Sequence, residues 1–543
     1  MKRPNAILLI LAPLIALWAM AQGTAGGELR FCLHAEPKTL NPLLVEDEAS
    51  ETIRYLTGGV LIRFNRRTQA LEPELATSWK VAKDARKITF SLRQGVSYSD
   101  GTVFDAEDVA YTIRALMNPE LHSATGDSFR SGEGSPQVHV IDRAQVSIEF
   151  PVPVAGLERL FDQVAILSSR SPQKELAVLG PFYVGEHKPG NYLLLKRNPH
   201  YWKRDPRGQR LPYLDSVRLD IQQNRDIEAL RFQRQEIQLI NGLDAEYFER
   251  LSAQMPGAVQ DIGPSLDTEQ MWFNQVTSAP IPAYKKAWFA SQEFRLAVAE
   301  GINRDDLCRI VFGGHATPAV GPVSPANHFW FNSSLKPHPY NLHGTLRRLQ
   351  QAGFRLDGQK LRDREGHPVE FSILTNAGNK SREHMAAMIQ QDLAQIGIRV
   401  NVVTLDFPSL IERMTRTFDY EACLLGLVNV DLDPSAQMNI WLSSASNHQW
   451  NPEQKSPATA WEAEIDHLMR TQASTDDPGK RKAAFDHVQQ IAWEQAPFIY
   501  LVHKNVLTAI SPAVQNATPV ALRPQTYWNV ESLTLAAERR ASR

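Results

Sequence analysis

Hydrophobic and polar positions alternate along the first half of the chain. KITFSL at residues 87–92 and QVSIEF at residues 145–150 place apolar side chains at every second position, which is typical of strands with one buried face. GPFYVGEHKPGNYLLLKR at residues 180–197 predicts a hairpin that turns at KPGN. Up to about residue 275 we therefore predict mainly short antiparallel strands and few helices. One helix is predicted to start after Asp105, because an aspartate carboxylate can accept from a free backbone N–H there.

The pattern changes to alternating strands and helices in the second half. VEFSILT at residues 369–375 predicts a strand, Ser381 can cap a helix that runs to about Ile396, and IRVNVVTL at residues 398–405 predicts a second strand. A strand, a helix and a strand in this order form a βαβ unit, which predicts a parallel or mixed sheet with helices on its faces. A further helix is predicted after Asp477, which precedes a proline.

The N-terminus has the pattern of an export signal. Lys2 and Arg3 are followed by the apolar run AILLILAPLIALWAMA at residues 6–21, and the small residues before Ala21 suit a signal peptidase. A retained membrane anchor is the alternative, but the run is shorter than the roughly 20 residues of a spanning helix. We expect a signal peptide at residues 1–21, cleavage near Ala21, and a soluble periplasmic protein.

Composition bounds the size and the partners of the molecule. The 543 residues, 43% of them hydrophobic, predict two or three domains. Charged residues make up 22% of the chain and the formal net charge is -2, which argues against nucleic acid as a partner. Cys32, Cys308 and Cys423 are far apart and odd in number, so they predict neither a disulfide framework nor a zinc site.

The segment LLGLVNVDLDPS has three oxygen-bearing side chains at alternate positions: Asn429, Asp431 and Asp433. An EF-hand calcium loop would need glycine where Pro434 stands and a bidentate glutamate where Ile440 stands, so the calcium hypothesis fails at both positions. A catalytic pair would need a partner acid, a nucleophile or an oxyanion site, and no motif supplies one. We therefore expect no catalytic residues, no metal site and no cofactor.

Six segments in order resemble one family over nearly the whole mature chain. The family is the peptide/nickel type (family 5) of bacterial extracellular solute-binding proteins, which deliver ligands to ABC importers. The segments are LEPELATSWKV; ITFSLRQGVSYSDGTVFDAEDVAYTI; GPFYVGEHKPGNYLLLKRNPHYW; FRLAVAEGINRDDLCRIVFGGHATPAVGPVSP; LAQIGIRVNVVTLDF; and LLGLVNVDLDP.

The resemblance implies an α/β fold of the two-lobed periplasmic-binding-protein type. It would be type II, class C, with an extra subdomain in lobe one, mixed sheets and a hinge of two crossovers. The expected crossovers are MWFNQ at residues 271–275 and the strand near Tyr500, and a ligand would be enclosed between the lobes as they close. The expected divisions are residues 27–270 for lobe I, including a subdomain at about 50–165, residues 275–500 for lobe II, and residues 501–543 for a C-terminal return to lobe I.

The resemblance also implies an amine-binding aspartate, which this chain lacks at the expected position. Similar proteins carry a pattern like G-W-x-x-D-x-x-D-P, whose first Asp holds the free amino terminus of a peptide through a charge-assisted bond. Gly426 and Asp433–Pro434 match the pattern, but Leu427 replaces the Trp and Val430 replaces the Asp. Asp431, one residue further on, would face the opposite side of an extended segment.

Two outcomes remain open for this segment. A bulge could bring Asp431 to the cleft; otherwise the ligand need not present an ammonium there. Asp433 is interpreted as structural, capping the turn or helix that Pro434 begins.

The other candidate ligand-binding residues also have structural alternatives. By resemblance, Trp272 and Asn274 would lie at the cleft floor, with hinge packing as the alternative, and Glu36 would border the cleft, with a solvated loop charge as the alternative. Leu427 and Asn429 are candidates because they belong to the segment that carries the pattern.

We therefore predict a periplasmic solute-binding component of an ABC importer, with no enzymatic activity. Its expected partners are a small-molecule or peptide ligand and the permease subunits, without nucleic acid, and the protein is expected to be a monomer. A peptide is the leading ligand class by resemblance, and an opine, an oligosaccharide or a metal chelate is the alternative. A secreted hydrolase is the competing function.

Overall fold

The structure is a computed structural model that describes residues 26–129, 134–173, 176–428, 431–475 and 477–536. The predicted signal peptide at residues 1–21 lies outside this part of the chain, as do Asn429 and Val430. None of the helices within it combines the length and the apolar character that crossing a membrane would require.

The strands are short, apart from one of 13 residues. In chain order they are β1 Glu28–Leu33, β2 Ile62–Phe64, β3 Leu71–Pro73, β4 Ala76–Val81, β5 Lys87–Leu92, β6 Gln137–Asp142, β7 Gln145–Glu149, β8 Phe182–Lys188, β9 Tyr192–Arg197, β10 Ser216–Ile221, β11 Leu239–Ile240, β12 Val259–Pro264, β13 Thr268–Phe273, β14 Ala316–Pro318, β15 Arg355–Asp357, β16 Lys360–Arg362, β17 Glu370–Asn376, β18 Arg399–Leu405, β19 Ala422–Leu427, β20 Phe498–Ile510, β21 Val514–Gln515 and β22 Thr534–Leu535.

The helices are distributed along the described chain. The α-helices are α1 Glu48–Thr57, α2 Ala106–Leu116, α3 Ala124–Phe129, α4 Arg225–Gln233, α5 Ala245–Gln254, α6 Ala283–Ala290, α7 Gln292–Glu300, α8 Arg304–Asp306, α9 Leu342–Gln351, α10 Lys380–Ala394, α11 Phe407–Glu412, α12 Met438–Trp441, α13 Ala460–Ala473 and α14 Pro478–Gln495. The 3₁₀ helices are Pro119–Leu121, Leu157–Asp162, Pro434–Gln437 and Val530–Ser532, and the π-helical turns are Leu307–Val311 and Arg413–Thr417.

A mixed sheet of 12 strands forms the frame of the molecule, in the order β18-β17-β19-β13-β20-β11-β1-β10-β9-β8, with β12 and β14 also paired to β20. The long strand β20 pairs with β13 near its start and with β11 and β12 near its end. It therefore belongs to both halves of the fold. We call the half that contains β1 and β8–β11 the first lobe, and the half that contains β17–β19 the second lobe.

The second lobe contains the predicted βαβ unit. Strands β17 and β18 are parallel, and α10 connects them. The helix begins two residues earlier than predicted, because the side chain of Asn379 rather than Ser381 accepts from a free N–H, that of Arg382. Hydrophobic residues of α10, such as Met385 and Leu393, are fully buried in the core of this lobe.

The first lobe carries a separate four-stranded antiparallel sheet, in the order β4-β5-β7-β6. Helix α2 packs against it and starts at Asp105, as predicted, with the reciprocal side-chain contacts of a capping box. The prediction of few helices before residue 275 is wrong, because α1 to α5 all lie there. Helix α1 buries polar residues, including Thr52 and Arg54, beside its apolar ones.

The hairpin of β8 and β9 and the helix after Asp477, α14, are also confirmed. All three cysteines are buried, and none forms a disulfide. Cys423 lies in the core beside Trp272 and Leu425, where it acts as a small hydrophobic side chain.

Candidate functional site

A cavity of about 590 Å³ lies between the two lobes. This volume is within the range of pockets that enclose a small ligand. The first lobe contributes most of the wall, the segment before β13 contributes another part, and the second lobe contributes Asp431 and Leu432. The lining segments and residues are 45–48, 51–52, 54–55, Phe64, Arg66, 124–125, Ser128, Arg159, 162–163, Asn241, 265–267, 431–432, 521–525 and Tyr527.

The segment around Asp431 leaves the sheet before it reaches the cavity. Strand β19 ends at Leu427, which pairs with Thr268 of β13, and Val428 beyond it is 56% exposed. A 3₁₀ helix then begins at Pro434. Because Asp431 lies between a strand end and a helix start, strand alternation does not decide where its side chain points. Asp431 lines the cavity.

The carboxylate of Asp431 has few partners. Its Oδ1 accepts from the backbone N–H of Asp433 at 3.0 Å, and no described cationic group lies within 4.0 Å of it. Burial raises the pKa of Asp431; the Asp433 N–H opposes that shift, the Asp433 carboxylate adds to it, and the positive charge of Arg159 opposes it. Asp431 is therefore a carboxylate at the cavity wall, and its negative charge is only partly compensated by neighbouring groups of the protein.

Asp433 has the structural role that the sequence predicts. Its carboxylate accepts from the N–H of Ser435 at 2.9 Å and caps the 3₁₀ helix. The same carboxylate also accepts from Nη2 of Arg481 at 2.6 Å, and both side chains are only 7% exposed. Its charge is thus compensated within the second lobe.

Two arginines of the cavity wall are fully engaged by first-lobe partners. Arg54 donates to both carboxylate oxygens of Glu51, at 2.6 and 2.5 Å, and to the Gln163 carbonyl at 3.1 Å. Arg66 donates to Asp162 and to two backbone carbonyls, each at 2.8 Å. These bidentate and multiple bonds fix the arginines as parts of the wall.

The remaining charged groups of the wall differ in exposure. Arg523 is 60% exposed and lies 3.7 Å from Asp267, and Glu46 and Glu48 are exposed at the rim. Arg159 is half-buried. Its guanidinium lies 5.3 Å from the ring centroid of Phe64, and it forms no hydrogen bond or ion pair with any described residue.

Aromatic rings complete the first-lobe wall. The hydroxyl of Tyr55 donates to the Trp528 carbonyl at 2.8 Å, and the hydroxyls of Tyr527 and Thr52 lie 3.0 Å apart. The Tyr527 ring stacks on Phe31 with centroids 5.0 Å apart. Because their polar atoms are already bonded, these tyrosines offer mainly their ring surfaces to a ligand.

Trp272 and Asn274 do not line the cavity. Trp272 is fully buried, donates from Nε1 to the Tyr420 hydroxyl at 3.2 Å, and packs edge-on against Phe498. Asn274 donates to the carbonyls of Phe418 and Tyr420 at 2.8 and 2.9 Å. In this conformation both side chains serve the packing where β13 meets β19 and β20.

Glu36 and Leu427 also lie away from the cavity wall. Glu36 accepts from the Gly190 N–H at 2.8 Å and contacts Nε2 of His187 at 2.7 Å, so it holds the tip of the β8–β9 hairpin. Leu427 packs against the core of the second lobe. The predictions for Asn429 and Val430 lie outside the described residues.

Most residues of the cavity wall cannot be recognised in the sequence. Arg159 and the residues of α1 carry no motif, and the segment at 521–527 lies about 470 residues from α1 in sequence. Only Asp431 was among the predicted candidates that line the cavity. Arg159 is distinguished by a guanidinium without a hydrogen bond or ion pair to any described residue, and that feature is visible only in the fold.

Comparison with known proteins agrees with this architecture. The model of the family described as bacterial extracellular solute-binding proteins, family 5 Middle, matches residues 70–449. The chain is 26% identical to a probable ABC transporter-binding protein of Deinococcus radiodurans, over 90% of this chain and 89% of the relative. It is 25% identical to the di/tripeptide-binding protein 2 of Pseudomonas aeruginosa, over 87% and 90%.

The fold also matches solved structures. The substrate-binding protein CtaP of Listeria monocytogenes superposes with a TM-score of 0.77 at 20% sequence identity, covering 95% of this chain and all of that protein.

Proposed function

Because this chain belongs to the bacterial extracellular solute-binding proteins of family 5, we propose that it captures a peptide or peptide-like ligand between its lobes. We further propose that it delivers this ligand to the permease of an ABC importer. Binding would shift an equilibrium between open and closed lobes. A separate chemical step is not needed for this role, and the family consists of binding proteins.

The observation that carries the peptide proposal is the position of Asp431. An incompletely compensated carboxylate on the cavity wall suits the ammonium group of a peptide amino terminus, because a charge-assisted hydrogen bond is strong where water is excluded. In this proposal Asp431 takes the role that Val430 cannot take. The names of relatives such as the di/tripeptide-binding protein 2 support the same ligand class.

The proposal includes the division of the chain. Residues 27–270 would form lobe I with its subdomain at about 50–165, residues 275–500 would form lobe II, and residues 501–543 would return to lobe I. Strands β13 and β20 would then act as the crossovers of the hinge, with Trp272 and Asn274 packing behind it. An export signal cleaved near Ala21 and a monomeric state are parts of the same proposal.

Native mass spectrometry of protein purified gently from a periplasm tests the ligand class. We expect an adduct that fragments into amino-acid masses. An adduct with the chemistry of an opine, an oligosaccharide or a metal chelate would contradict the peptide proposal. If peptides incubated with the protein were cleaved and their products accumulated, the result would instead support a hydrolase.

Isothermal titration calorimetry tests the role of Asp431. The probes are alanine peptides of two to four residues with free termini, together with their N-acetylated forms. We expect Asp431→Asn to weaken binding by roughly 10- to 100-fold, the usual effect of losing a charge-assisted bond, and N-acetylation to do the same. Asp84→Asn is the matched control, because Asp84 is exposed in a turn outside the cavity wall. Equal binding by wild type and Asp431→Asn would overturn the role of Asp431.

A further inference from the structure

Arg159 is the cavity-wall arginine whose side chain has no described polar partner. Arg54 and Arg66 are held by carboxylates and carbonyls, and Arg523 lies beside Asp267. A guanidinium presents five N–H donors in a planar fork that matches a carboxylate. Leaving all of them without an acceptor among the described residues is unfavourable at a half-buried position unless a ligand or water supplies the acceptors.

Arg159 and Asp431 occupy the same corner of the cavity. Arg159 lies on the 3₁₀ helix Leu157–Asp162, which follows Gly156. A Cβ built on Gly156 would lie 3.7 Å from Cδ of Arg159 and 3.0 Å from Oδ2 of Asp433. Asp433 in turn donates its backbone N–H to Asp431. The stem of Arg159 therefore reaches the cavity next to the segment that carries Asp431.

The loop at Gly156 allows this close approach. Gly156 has φ +66, in the left-handed region that favours glycine. A side chain at this position would also press on the Asp433–Arg481 pair. Backbone conformation and space thus combine to bring the first-lobe cation close to the second-lobe carboxylate.

The two charges do not neutralise each other directly. Their nitrogen and oxygen atoms are more than 4.0 Å apart, since no ion pair joins them among the described contacts, although the charge of Arg159 acts on Asp431. A ligand that carries both a cationic and an anionic group would compensate the charges of Asp431 and Arg159 at once. A ligand with an ammonium alone would leave Arg159 uncompensated.

We propose that Arg159 is a specificity-determining residue that binds an anionic group of the ligand, so that the site selects zwitterions whose anionic group lies close to the ammonium held by Asp431. This inference rests on the proposed function, in which Asp431 binds the ammonium of the ligand, and it assigns the binding of the anionic group of the ligand to Arg159. A carboxylate, such as the free carboxyl terminus of a short peptide, fits the planar fork in a bidentate manner.

The test is a thermodynamic cycle measured by isothermal titration calorimetry. The probe is whichever of Ala-Ala, Ala-Ala-Ala and Ala-Ala-Ala-Ala binds wild type most tightly, compared with its carboxyl-terminal amide. For wild type we expect the amide to bind roughly 10- to 100-fold more weakly than the free acid. For Arg159→Gln we expect both forms to bind alike, at the level of the amide on wild type. Arg159→Lys should keep a part of the preference, because it keeps the charge but loses the fork.

The control and the contrary outcomes separate this inference from the proposed function. Arg114→Gln removes the same charge from an exposed position of α2 and should keep the full preference for the free acid. Circular dichroism verifies that each variant is folded. Equal affinity of wild type for acid and amide would overturn the role of Arg159 and leave peptide binding intact. Failure of all three free peptides to bind would overturn the proposed function itself.

Discussion

Two pairs of aspartate and arginine lie side by side at the junction of the lobes, and only one of the two pairs forms an ion pair. Asp433 and Arg481 form an ion pair at 2.6 Å, with each side chain 7% exposed. Asp431 and Arg159 are residues of the same two types, but they line the cavity and do not form an ion pair with each other. The charges of the first pair neutralise each other within the protein, and we propose that a ligand neutralises the charges of the second.

The difference between the pairs indicates which charged side chains serve the structure and which serve ligand binding. A buried charge without a partner is costly, so most charges of the wall are paired within their own lobe. Groups that remain uncompensated in a cavity mark a functional site more reliably than residue type does. Both residues are aspartates of one short segment, and in the sequence only Pro434 after Asp433 separates the structural role expected of Asp433 from the ligand contact considered for Asp431.

The largest expected effect concerns the pair of Asp433 and Arg481. Asp433→Ala removes one partner of a buried ion pair and the cap of a 3₁₀ helix, leaving Arg481 uncompensated. We expect the free energy of unfolding to fall by about 3–5 kcal/mol, measured by urea unfolding followed by circular dichroism. Asp431→Ala, two residues away, is the control and should change it by less than about 1 kcal/mol. Similar losses in the two variants would mean that the pairs do not differ as proposed.

The fold could be predicted from the sequence much further than the site. The βαβ unit at 370–405 follows from local periodicity, and the caps at Asp105 and Asp477 follow from residue type. Strand order could not be deduced locally, because β20 joins strands that are more than 200 residues away in sequence.

The cavity wall depends on this long-range arrangement. Arg159 becomes distinctive only when the partners of Arg54 and Arg66 are known, and some of those partners, such as the Gln163 carbonyl and Asp162, lie on other elements. Asp431 could be suspected from sequence, but its direction could not, since it lies between a strand end and a helix start. Residue types were visible in the sequence, whereas their pairing was not.

A smaller effect concerns the pair of Asp431 and Arg159, which we call the open pair, and the way in which Asp431 makes the stability of the protein depend on pH. Burial raises the pKa of Asp431 in the folded protein, opposed by the Asp433 N–H. A carboxyl group with a raised folded-state pKa favours folding below its unfolded-state pKa, and this contribution is lost as pH rises through the folded-state value. Ligand-free Asp431→Asn should therefore be more stable than wild type at pH 7, by on the order of 1 kcal/mol, and the difference should vanish in acid.

Thermal unfolding of both proteins without ligand, between pH 3 and pH 8, measures this difference. Asp84→Asn serves as the control, since it makes the same substitution at an exposed residue outside the cavity wall. A loss of stability at pH 7 in Asp431→Asn would show that the carboxylate has a structural role, and the contrast with Asp433 would then fail.

The smallest effect concerns a first-lobe contact that helps to position the segment of both aspartates. Gln69 donates from Nε2 to the Ala326 carbonyl at 2.5 Å, and the His328 N–H donates to its Oε1 at 3.2 Å. Between them, Asn327 donates from Nδ2 to the Leu432 carbonyl at 2.9 Å. The side chain of Gln69 thus bears indirectly on the residue between the two aspartates.

Gln69 has φ +60, where glycine would be favoured, so its side chain is kept at a cost in backbone strain. Both Gln69→Gly and Gln69→Ala remove the contact, but only glycine relieves the strain. We expect the glycine variant to be the more stable of the two by about 1 kcal/mol in thermal unfolding. Both should bind the tightest alanine peptide a few-fold more weakly than wild type, by equal factors, since both lose the same hydrogen bonds. If both variants bound it as tightly as wild type, Asp431 would be positioned by the second lobe alone, and Arg159 would be the first lobe's only contribution to the Asp431–Arg159 pair.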